Sequence, residues 1–279
     1  MSPAALALAL TAAVLHATWN ALVKSSGDRA VTIAAVSAVH IVFGIVLVAL
    51  YPLPLAKAWP FLLASTIIHY GYYAFLVYAY GKGDLSQVYP ISRGISPVLV
   101  SIGGVLWAGD TLSGVDWGAI LLISFAIALL ALPGRRRATD GRTVLAALAT
   151  GLLIASYSIA DGLGVRSAGT AMSYIGWLFL LEAPVVAYVL AIRRRQWAEG
   201  GPGVIAMGLL GGVFSTLAYS LVLYAKTFSP LGAVSAVRES SVIVAALIGA
   251  VLFGERPWML RVAAALLVVA GVVLLALQL

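Results

Sequence analysis

Long apolar segments alternate with short polar connections along the whole chain. A helix that crosses a membrane needs about 20 consecutive, predominantly apolar residues. Ten such segments are present, at residues 3–23, 31–50, 58–80, 85–107, 112–132, 143–164, 171–192, 203–225, 230–253 and 257–279. The connections between them carry glycine, proline or charge. The pattern predicts an all-α integral membrane protein with ten transmembrane helices.

The amino-acid composition supports this prediction and argues against other classes of protein. Hydrophobic types make up 62% of the 279 residues and charged types 10%, whereas a soluble domain has about 45–50% and about 25%. Disordered chains are poor in hydrophobic residues, so disorder is excluded as well. The absence of cysteine excludes disulfides, thiolate nucleophiles and cysteine-bound metals. We therefore expect neither a soluble enzyme nor a metal or other cofactor.

The 17 lysine and arginine residues are distributed unequally between the connections. Odd-numbered connections hold twelve of them and even-numbered connections hold Lys57, Arg166 and Lys226, while Arg93 and Arg238 lie inside spans. Basic residues in short loops stay on the cytoplasmic side of a membrane. The bias predicts that odd-numbered loops are cytoplasmic and that both termini lie outside. It also accounts for the net charge of +7 without nucleic-acid binding.

The two halves of the chain resemble each other at an offset of 142–145 residues. The matched positions are residues 24–27 with 166–169, His40 with Glu182, residues 80–82 with 224–226, Arg93 with Arg238, and residues 109–110 with 254–255. We interpret residues 1–134 and 143–279 as two five-helix units joined by a basic loop at residues 135–142. Because five is an odd number, the second unit must be inverted. Inverted repeats are common in transporters, with the binding site at the interface between the repeats.

The sequence has ten spans as five plus five, a glycine–acid pair after the fourth and ninth spans, and an arginine within each of those spans. In these features it resembles the drug/metabolite transporter superfamily and, more specifically, its EamA-type repeat. The resemblance covers nearly the whole chain and is greatest to bacterial aromatic amino-acid exporters. It implies that spans one to four and six to nine surround a central cavity, with spans five and ten outside. Many members have both termini inside the cell, whereas the charge distribution here predicts the opposite.

Polar side chains inside the predicted spans cluster on one face of six helices. An ionisable side chain in hydrocarbon costs about 2.5–3.5 kcal/mol on insertion scales, so such residues usually face a cavity or a partner. Residues at i, i+3 and i+4 share a helix face, as His16, Trp19 and Asn20 do in the first span. The candidate substrate-binding residues are His16, Trp19, Asn20, His69, Tyr72, Tyr73, Tyr89, Ser92, Arg93, Tyr157, Asp161, Tyr219, Arg238 and Glu239.

The alternative is that these polar faces only hold helices together through hydrogen bonds. This alternative weighs most for His40 and Glu182, which lie in spans with few other polar residues and are left outside the candidate site. For the set as a whole it is weaker, because six polar faces require something polar at their common centre.

The candidate residues suit an amino acid as substrate. Arg93 or Arg238 can bind a carboxylate through a planar pair of hydrogen bonds, and Glu239 or Asp161 can meet the ammonium group. The aromatic side chains offer faces for stacking or cation–π contact. We predict a secondary transporter, not an enzyme, that exports amino acids or related small amphipathic metabolites by alternating access. It would act as a monomer in the lipid bilayer of the cell (inner) membrane; export of drugs or other metabolites is the alternative.

One short motif resembles the active site of an intramembrane protease. Residues 81–84, Gly-Lys-Gly-Asp, fit the G-x-G-D pattern of intramembrane aspartyl proteases, whose chemistry needs two carboxylates. Those enzymes place the other carboxylate in a Tyr-Asp dipeptide, which this chain lacks. The P-loop pattern of nucleotide hydrolysis is absent too. A protease and a self-contained ATP-driven pump are therefore disfavoured, and the closely packed aromatic faces argue against an open pore.

Proline and glycine mark the points where spans can bend or approach each other closely. A proline removes a backbone hydrogen bond and kinks a helix. Prolines lie in the fourth, seventh and ninth spans, at Pro90, Pro97, Pro184 and Pro230. Gly208 and Gly212 form a small-xxx-small pair, which predicts a close helix contact.

A single cysteine introduced beside Arg136 tests the predicted orientation. The chain has no native cysteine, so a membrane-impermeant thiol reagent can label only the introduced one. Because the connection around Arg136 is odd-numbered, we expect labelling after permeabilisation of the cells and none in intact cells. Labelling in intact cells would refute the orientation.

Overall fold

The computed structural model describes residues 1–26, 29–82, 85–131, 141–199, 201–244 and 258–277. The regular structure of these residues is helical. The helices are α1 (Pro3–Ser25), α2 (Arg29–Leu50), α3 (Trp59–Lys82), α4 (Leu85–Trp107), α5 (Gly114–Leu129), α6 (Gly141–Ser167), α7 (Ala171–Leu180), α8 (Ala183–Glu199), α9 (Gly201–Lys226), α10 (Leu231–Glu239) and α11 (Trp258–Ala276). A 3-10 turn at Ala56–Ala58 precedes α3, and residues 241–244 are also helical.

Six described segments are long and apolar enough to cross a membrane. They are Pro3–Val23, Val31–Leu50, Val144–Ser167, Ala171–Ile192, Gly201–Lys226 and Trp258–Ala276. Each coincides with a predicted span to within three residues at either end. The described residues are therefore helical, and their long apolar helices point to a multi-pass membrane protein. The full set of ten spans remains a proposal, and the ninth predicted span and the basic connecting loop extend beyond the described residues.

Many large aliphatic side chains lie on the outside of the bundle, and many alanines are buried inside it beside larger residues such as Leu62 and Ile120. On α1, Ala5, Ala9 and Ala12 are fully buried, whereas Val14 is 54% exposed. At the end of α2, Leu50 is 72% exposed. In lipid, leucine gains nothing by leaving the surface, so helices associate through close packing of small residues and through internal polar contacts. The distribution of side chains is the one expected for a bundle surrounded by hydrocarbon.

The two halves of the chain are interleaved. Helices of the first half pack against helices of the second, in the pairs α1–α9, α2–α7, α2–α9, α3–α6, α4–α6, α4–α10 and α5–α11. Polar residues from both halves are therefore brought to a common interface.

The contact between α2 and α9 depends on the two glycines singled out in the sequence. A Cβ atom at Gly212 would lie 2.7 Å from the Cβ of Val39 and 2.9 Å from the carbonyl oxygen of Val36. A Cβ atom at Gly208 would lie 2.8 Å from the carbonyl oxygen of Thr32. The predicted close approach at this pair is confirmed.

The seventh predicted span is broken in its middle. Helix α7 ends at Leu180 and α8 begins at Ala183, so Leu181 and Glu182 lie in a turn between them. Pro184 follows directly, and without an N–H group it cannot bond the carbonyl of Leu180 four residues earlier. The predicted bend at Pro184 is confirmed, and Pro230 directly precedes α10, as predicted. By contrast, α4 stays helical through both of its prolines.

Arg166, in the last turn of α6, joins several chain segments at one end of the bundle. Its guanidinium donates to three backbone carbonyl oxygens at 2.7–3.3 Å and to Oδ1 of Asp110 at 2.8 Å. The other carboxylate oxygen of Asp110 accepts the backbone N–H of Leu231, the first residue of α10, at 2.6 Å. This network fixes where α10 begins relative to α4, α6 and α9.

Replacing Gly212 with leucine tests the close contact between α2 and α9. The new side chain has no space against Val39, so we expect a loss of about 1–3 kcal/mol in the free energy of unfolding, as for other overpacked cores. The measurement is thermal unfolding of the purified protein in detergent. Gly203→Leu is the matched control, because a Cβ atom at Gly203 meets nothing within 4 Å. Equal melting temperatures for the two variants would contradict the packing described here.

Candidate functional site

A cluster of three charged residues lies buried where α4 meets α10. Nη1 of Arg93 is 3.1 Å from both carboxylate oxygens of Glu239. Nη1 of Arg238 is 3.1 Å from Oε1 of the same carboxylate. The exposed fractions are 5% for Arg93, 6% for Arg238 and 1% for Glu239. The two arginines that match across the sequence repeat thus share one carboxylate.

The backbone of α10 positions this cluster. Gly232 on α10 faces Ser101 on α4, and a Cβ atom there would lie 2.6 Å from the Cα of Ser101. The two helices can therefore approach closely at the start of α10. The helix ends at Glu239, and Ser240 forms its C-terminal cap. The last two residues of α10 are the charged pair, and Ser92, also buried, precedes Arg93 on α4.

The arginine cluster carries an excess of positive charge. Two guanidinium groups face one carboxylate, so the group has a formal charge of +1. Arg238 also lies over the ring of Tyr219, with Cζ 5.7 Å from the ring centroid. Both arginines are charged at any physiological pH. The cluster can therefore attract an anionic group of a ligand into the bundle.

Asp161 on α6 forms a second polar cluster. Its side chain is fully buried, and Oδ1 accepts the hydroxyl of Tyr174 at 2.9 Å. The hydroxyl of Tyr219 donates to Oδ2. Because Tyr219 also lies beneath Arg238, its ring joins the aspartate cluster to the arginine cluster.

The prediction that Lys226 lies in a connecting loop is wrong. Helix α9 continues through Lys226, whose side chain is 1% exposed. Its Nζ donates to the carbonyl oxygen of Ser158 at 2.9 Å and to Oγ at 2.6 Å. Like Arg166, this residue is bound inside the protein, because its four methylene groups let the ammonium reach a polar partner on α6.

A small cavity lies beside these clusters, with room for about one water-sized group, about 20 Å³. It is lined by Thr66, His69, Tyr70, Leu178, Leu181, Glu182 and Tyr219. The His69 ring lies 4.1 Å from the ring of Tyr157, centroid to centroid, and Tyr72 lies 6.0 Å from the same ring. The structure therefore brings His69, Tyr72, Tyr157 and Tyr219 of the predicted set to one aromatic region.

The polar residues of α1 are bonded mainly to one another. Nε1 of Trp19 donates to Nδ1 of His16 at 3.2 Å, and the Asn20 amide donates to the carbonyl oxygen of His16 at 2.7 Å. His16 itself is 7% exposed. The side chains of Tyr73 and Tyr89 lie outside the described part of the structure, as do the residues Gly83 and Asp84 of the protease-like motif.

Sequence reasoning left out Thr66, Tyr70, Tyr174 and the pair His40 and Glu182. Nδ1 of His40 lies 2.9 Å from Oε2 of Glu182, and the His40 ring stacks on Phe179 with centroids 4.7 Å apart. A signal for this pair was available, because the two residues match each other at the repeat offset of 142. For Tyr70 and Tyr174, no such match between the two halves of the sequence indicated a role.

Comparison with known proteins identifies part of the chain. Residues 141–277 match the EamA-like transporter family. No curated protein matches the chain. One solved crystal structure, described only as that of a protein, has a TM-score of 0.74 at 18% identity and aligns over 100% of this chain and 98% of its own. At that identity the likeness shows the fold alone. Residues 141–277 are thus similar to an EamA-like transporter domain, a similarity that points to a membrane transporter.

Replacing Glu239 with glutamine tests whether one carboxylate holds both arginines. The variant leaves two buried guanidinium groups without their shared anion, and removal of one partner from a buried pair costs about 3–5 kcal/mol. Arg93→Gln keeps the Arg238–Glu239 pair, so it should destabilise the protein less. Thermal unfolding in detergent measures both. An Arg93→Gln variant as unstable as Glu239→Gln would contradict this arrangement.

Proposed function

We propose that the protein is a secondary transporter that exports amino acids or related small amphipathic metabolites across the cell (inner) membrane by alternating access. The observation that carries this proposal is the buried cluster in which Arg93 and Arg238 share Glu239. Guanidinium groups inside an apolar bundle are costly unless anionic groups lie close to them. An anionic substrate group that reaches the cluster would offset that cost.

The chemistry of the cluster favours a carboxylate as the anionic group. A guanidinium presents parallel N–H donors that match the two oxygens of a carboxylate. The aromatic region around Tyr157 and Tyr219 adds faces that can contact a planar or apolar side chain. An amphipathic metabolite uses both features, whereas an inorganic anion would use only the arginines. A drug or other metabolite with an acidic group is the alternative substrate.

Contacts between the two halves support ten spans arranged as two inverted five-helix repeats. Residues near a two-fold axis contact their own counterparts, as His40 does Glu182. The matched residues Arg93 and Arg238 share one partner in the same way. Counterpart helices also pack on one another, in the pairs α2–α7, α4–α10 and α5–α11. The family match at residues 141–277 lies close to the proposed second repeat, residues 143–279.

The internal positions of Arg166 and Lys226 support the proposed orientation. Both bind other parts of the protein, so neither acts as a free charge of an even-numbered loop. The sequence has twelve basic residues in the odd-numbered connections and three in the even-numbered ones, and these are two of the three. The positive-inside rule therefore favours cytoplasmic odd-numbered loops and external termini. We also propose that a single chain forms the complete pathway.

Transport by Arg93→Gln and Arg238→Gln in proteoliposomes tests the proposed role of the arginines. A hydrogen bond to a charged group contributes about 1.5–3 kcal/mol, and 1.4 kcal/mol corresponds to a factor of about ten. We expect each variant to lower the uptake of labelled amino acids about tenfold or more. A decarboxylated amino acid should be a poor substrate of the wild type.

Arg195→Gln is the matched control, because Arg195 is 89% exposed and pairs only loosely with Glu199, at 3.6 Å. It should transport as the wild type does. All variants must remain monodisperse in detergent, so that lost transport is separated from lost folding. Normal transport by both arginine variants, or equal competition by the decarboxylated analogue, would show that these arginines do not bind a carboxylate.

A further inference from the structure

We infer that the cavity between α3, α7 and α9 contains a separate subsite for a primary ammonium group, with Glu182 as its anion and His40 as the residue that positions it. This inference rests on the proposed function, because it assigns the second charged group of a zwitterionic substrate. It differs from the assignment based on sequence, in which Glu239 or Asp161 meets the ammonium.

The break between α7 and α8 places Glu182 on the cavity wall. The helix is interrupted just before Pro184, which has no N–H group to donate, and Leu181 and Glu182 occupy a turn on the cavity wall. The hydroxyl of Tyr70 donates to the carbonyl oxygen of Leu181 and holds this turn against α3. Glu182 therefore occupies a fixed position, and its side chain is 14% exposed.

Three polar residues surround the Glu182 carboxylate, and one of them, His69, also lines the cavity. His40 donates from Nδ1 at 2.9 Å, and the hydroxyl of Ser37 also bonds the carboxylate. Nε2 of His40 is buried with no hydrogen-bond partner in the described part of the chain. Nδ1 is therefore the ring nitrogen through which His40 holds the Glu182 carboxylate in position.

The other buried acids of the described chain already have strong partners. Glu239 faces two guanidinium groups, Asp161 accepts two tyrosine hydroxyls, and Asp110 pairs with Arg166. A carboxylate can accept about four hydrogen bonds, and two neighbours of Glu182 supply one each. Of these acids, Glu182 is the one that lines the cavity, and it has capacity for an ammonium donor.

The remaining cavity wall fits an alkylammonium group. Tyr70 and Tyr219 present aromatic rings, which attract alkylammonium groups electrostatically, and Leu178 and Leu181 supply apolar contact. The cavity has room for about one water-sized group, about 20 Å³. It therefore suits an ammonium group, while the rest of the substrate would lie outside this cavity. Tyr219 lies between it and Arg238, which is on the side proposed to bind the carboxylate.

Competition measurements on Glu182→Gln test the subsite. The variant keeps the shape of the side chain and removes its charge. In proteoliposomes we expect the KM for a labelled zwitterionic amino acid to rise about tenfold or more. The deaminated analogue, a simple carboxylic acid, should compete at least as well as it does with the wild type. Glu199→Gln is the matched control, because Glu199 is 68% exposed at the end of α8.

Two substitutions of His40 test its positioning role. His40→Asn retains a short side-chain donor and should partly keep the wild-type KM. His40→Phe retains the stacked ring without a donor, and it should raise KM with a smaller effect on kcat. Equal effects of both variants on KM would overturn the assignment to His40. Glu182→Asp, which keeps the charge, provides a second variant if Glu182→Gln does not fold.

The outcomes separate this inference from the proposed function. An unchanged KM for the zwitterion in Glu182→Gln, with transport still lost in the arginine variants, overturns the subsite alone. An equal loss of transport of the zwitterion and of the deaminated acid in Glu182→Gln also overturns it. The Glu182 carboxylate would then hold a proton or a metal cation instead of the substrate's ammonium group. If the wild type transports no amino acid in this assay, a thermal-unfolding assay with phenethylammonium tests the subsite by itself. Stabilisation of the wild type, without stabilisation of Glu182→Gln, would support the subsite independently of the transport proposal. No stabilisation of the wild type would overturn the subsite.

Discussion

A charged side chain inside hydrocarbon must find its counter-charge within the protein. Arg93, Arg238 and Glu239 meet this requirement together, and much of the fold follows from it. The arginines come from opposite halves of the chain, and their common partner stands at the end of α10. The cluster forms only if α4 and α10 are in contact at that level. Moving either helix would leave at least one buried guanidinium without its anion, at a cost of several kcal/mol.

The other charged side chains in the interior also have polar partners within the protein. Asp161, Lys226, Arg166 and Asp110 each bind partners on other helices, so polar contacts specify which helices are neighbours. Small residues then set how close the neighbours come, as Gly208 and Gly212 do between α2 and α9. Neither feature requires a large apolar core, because the surrounding lipid accepts the leucines and valines. Breaks such as the one before Pro184 can be tolerated where they line a polar cavity.

Features encoded by local sequence were predictable. The described long helices coincide with predicted spans, because span length and apolar composition are local properties. The break at Pro184 follows from a missing N–H group, and the approach at Gly212 follows from a missing Cβ atom. The convergence of Arg93 and Arg238 could be anticipated because the two residues match at the sequence offset between the halves of the chain. The roles proposed for the candidate residues in binding remain to be tested.

Contacts that depend on side-chain reach or on distant partners were not predictable in the same way. Lys226 looked like a loop residue because it ends an apolar run, yet its long side chain returns to Ser158. Tyr174 meets Asp161 across a turn, and no pattern in either helix marks that contact. His40 and Glu182 matched at the repeat offset, but each stood alone on an otherwise apolar helix. Their pairing became visible only when α2 and α7 were placed side by side.

Counterflow in proteoliposomes is the most direct test of the claim that this chain is a carrier for amino acids. Vesicles loaded with an unlabelled amino acid are diluted into a trace of the same labelled compound, with no ion gradient or nucleotide supplied. A carrier with an alternating site should accumulate label transiently above equilibrium, with initial rates that saturate as the substrate concentration rises. A panel of aromatic, aliphatic and charged amino acids that produces no transient accumulation, or only unsaturable flux, would contradict the account.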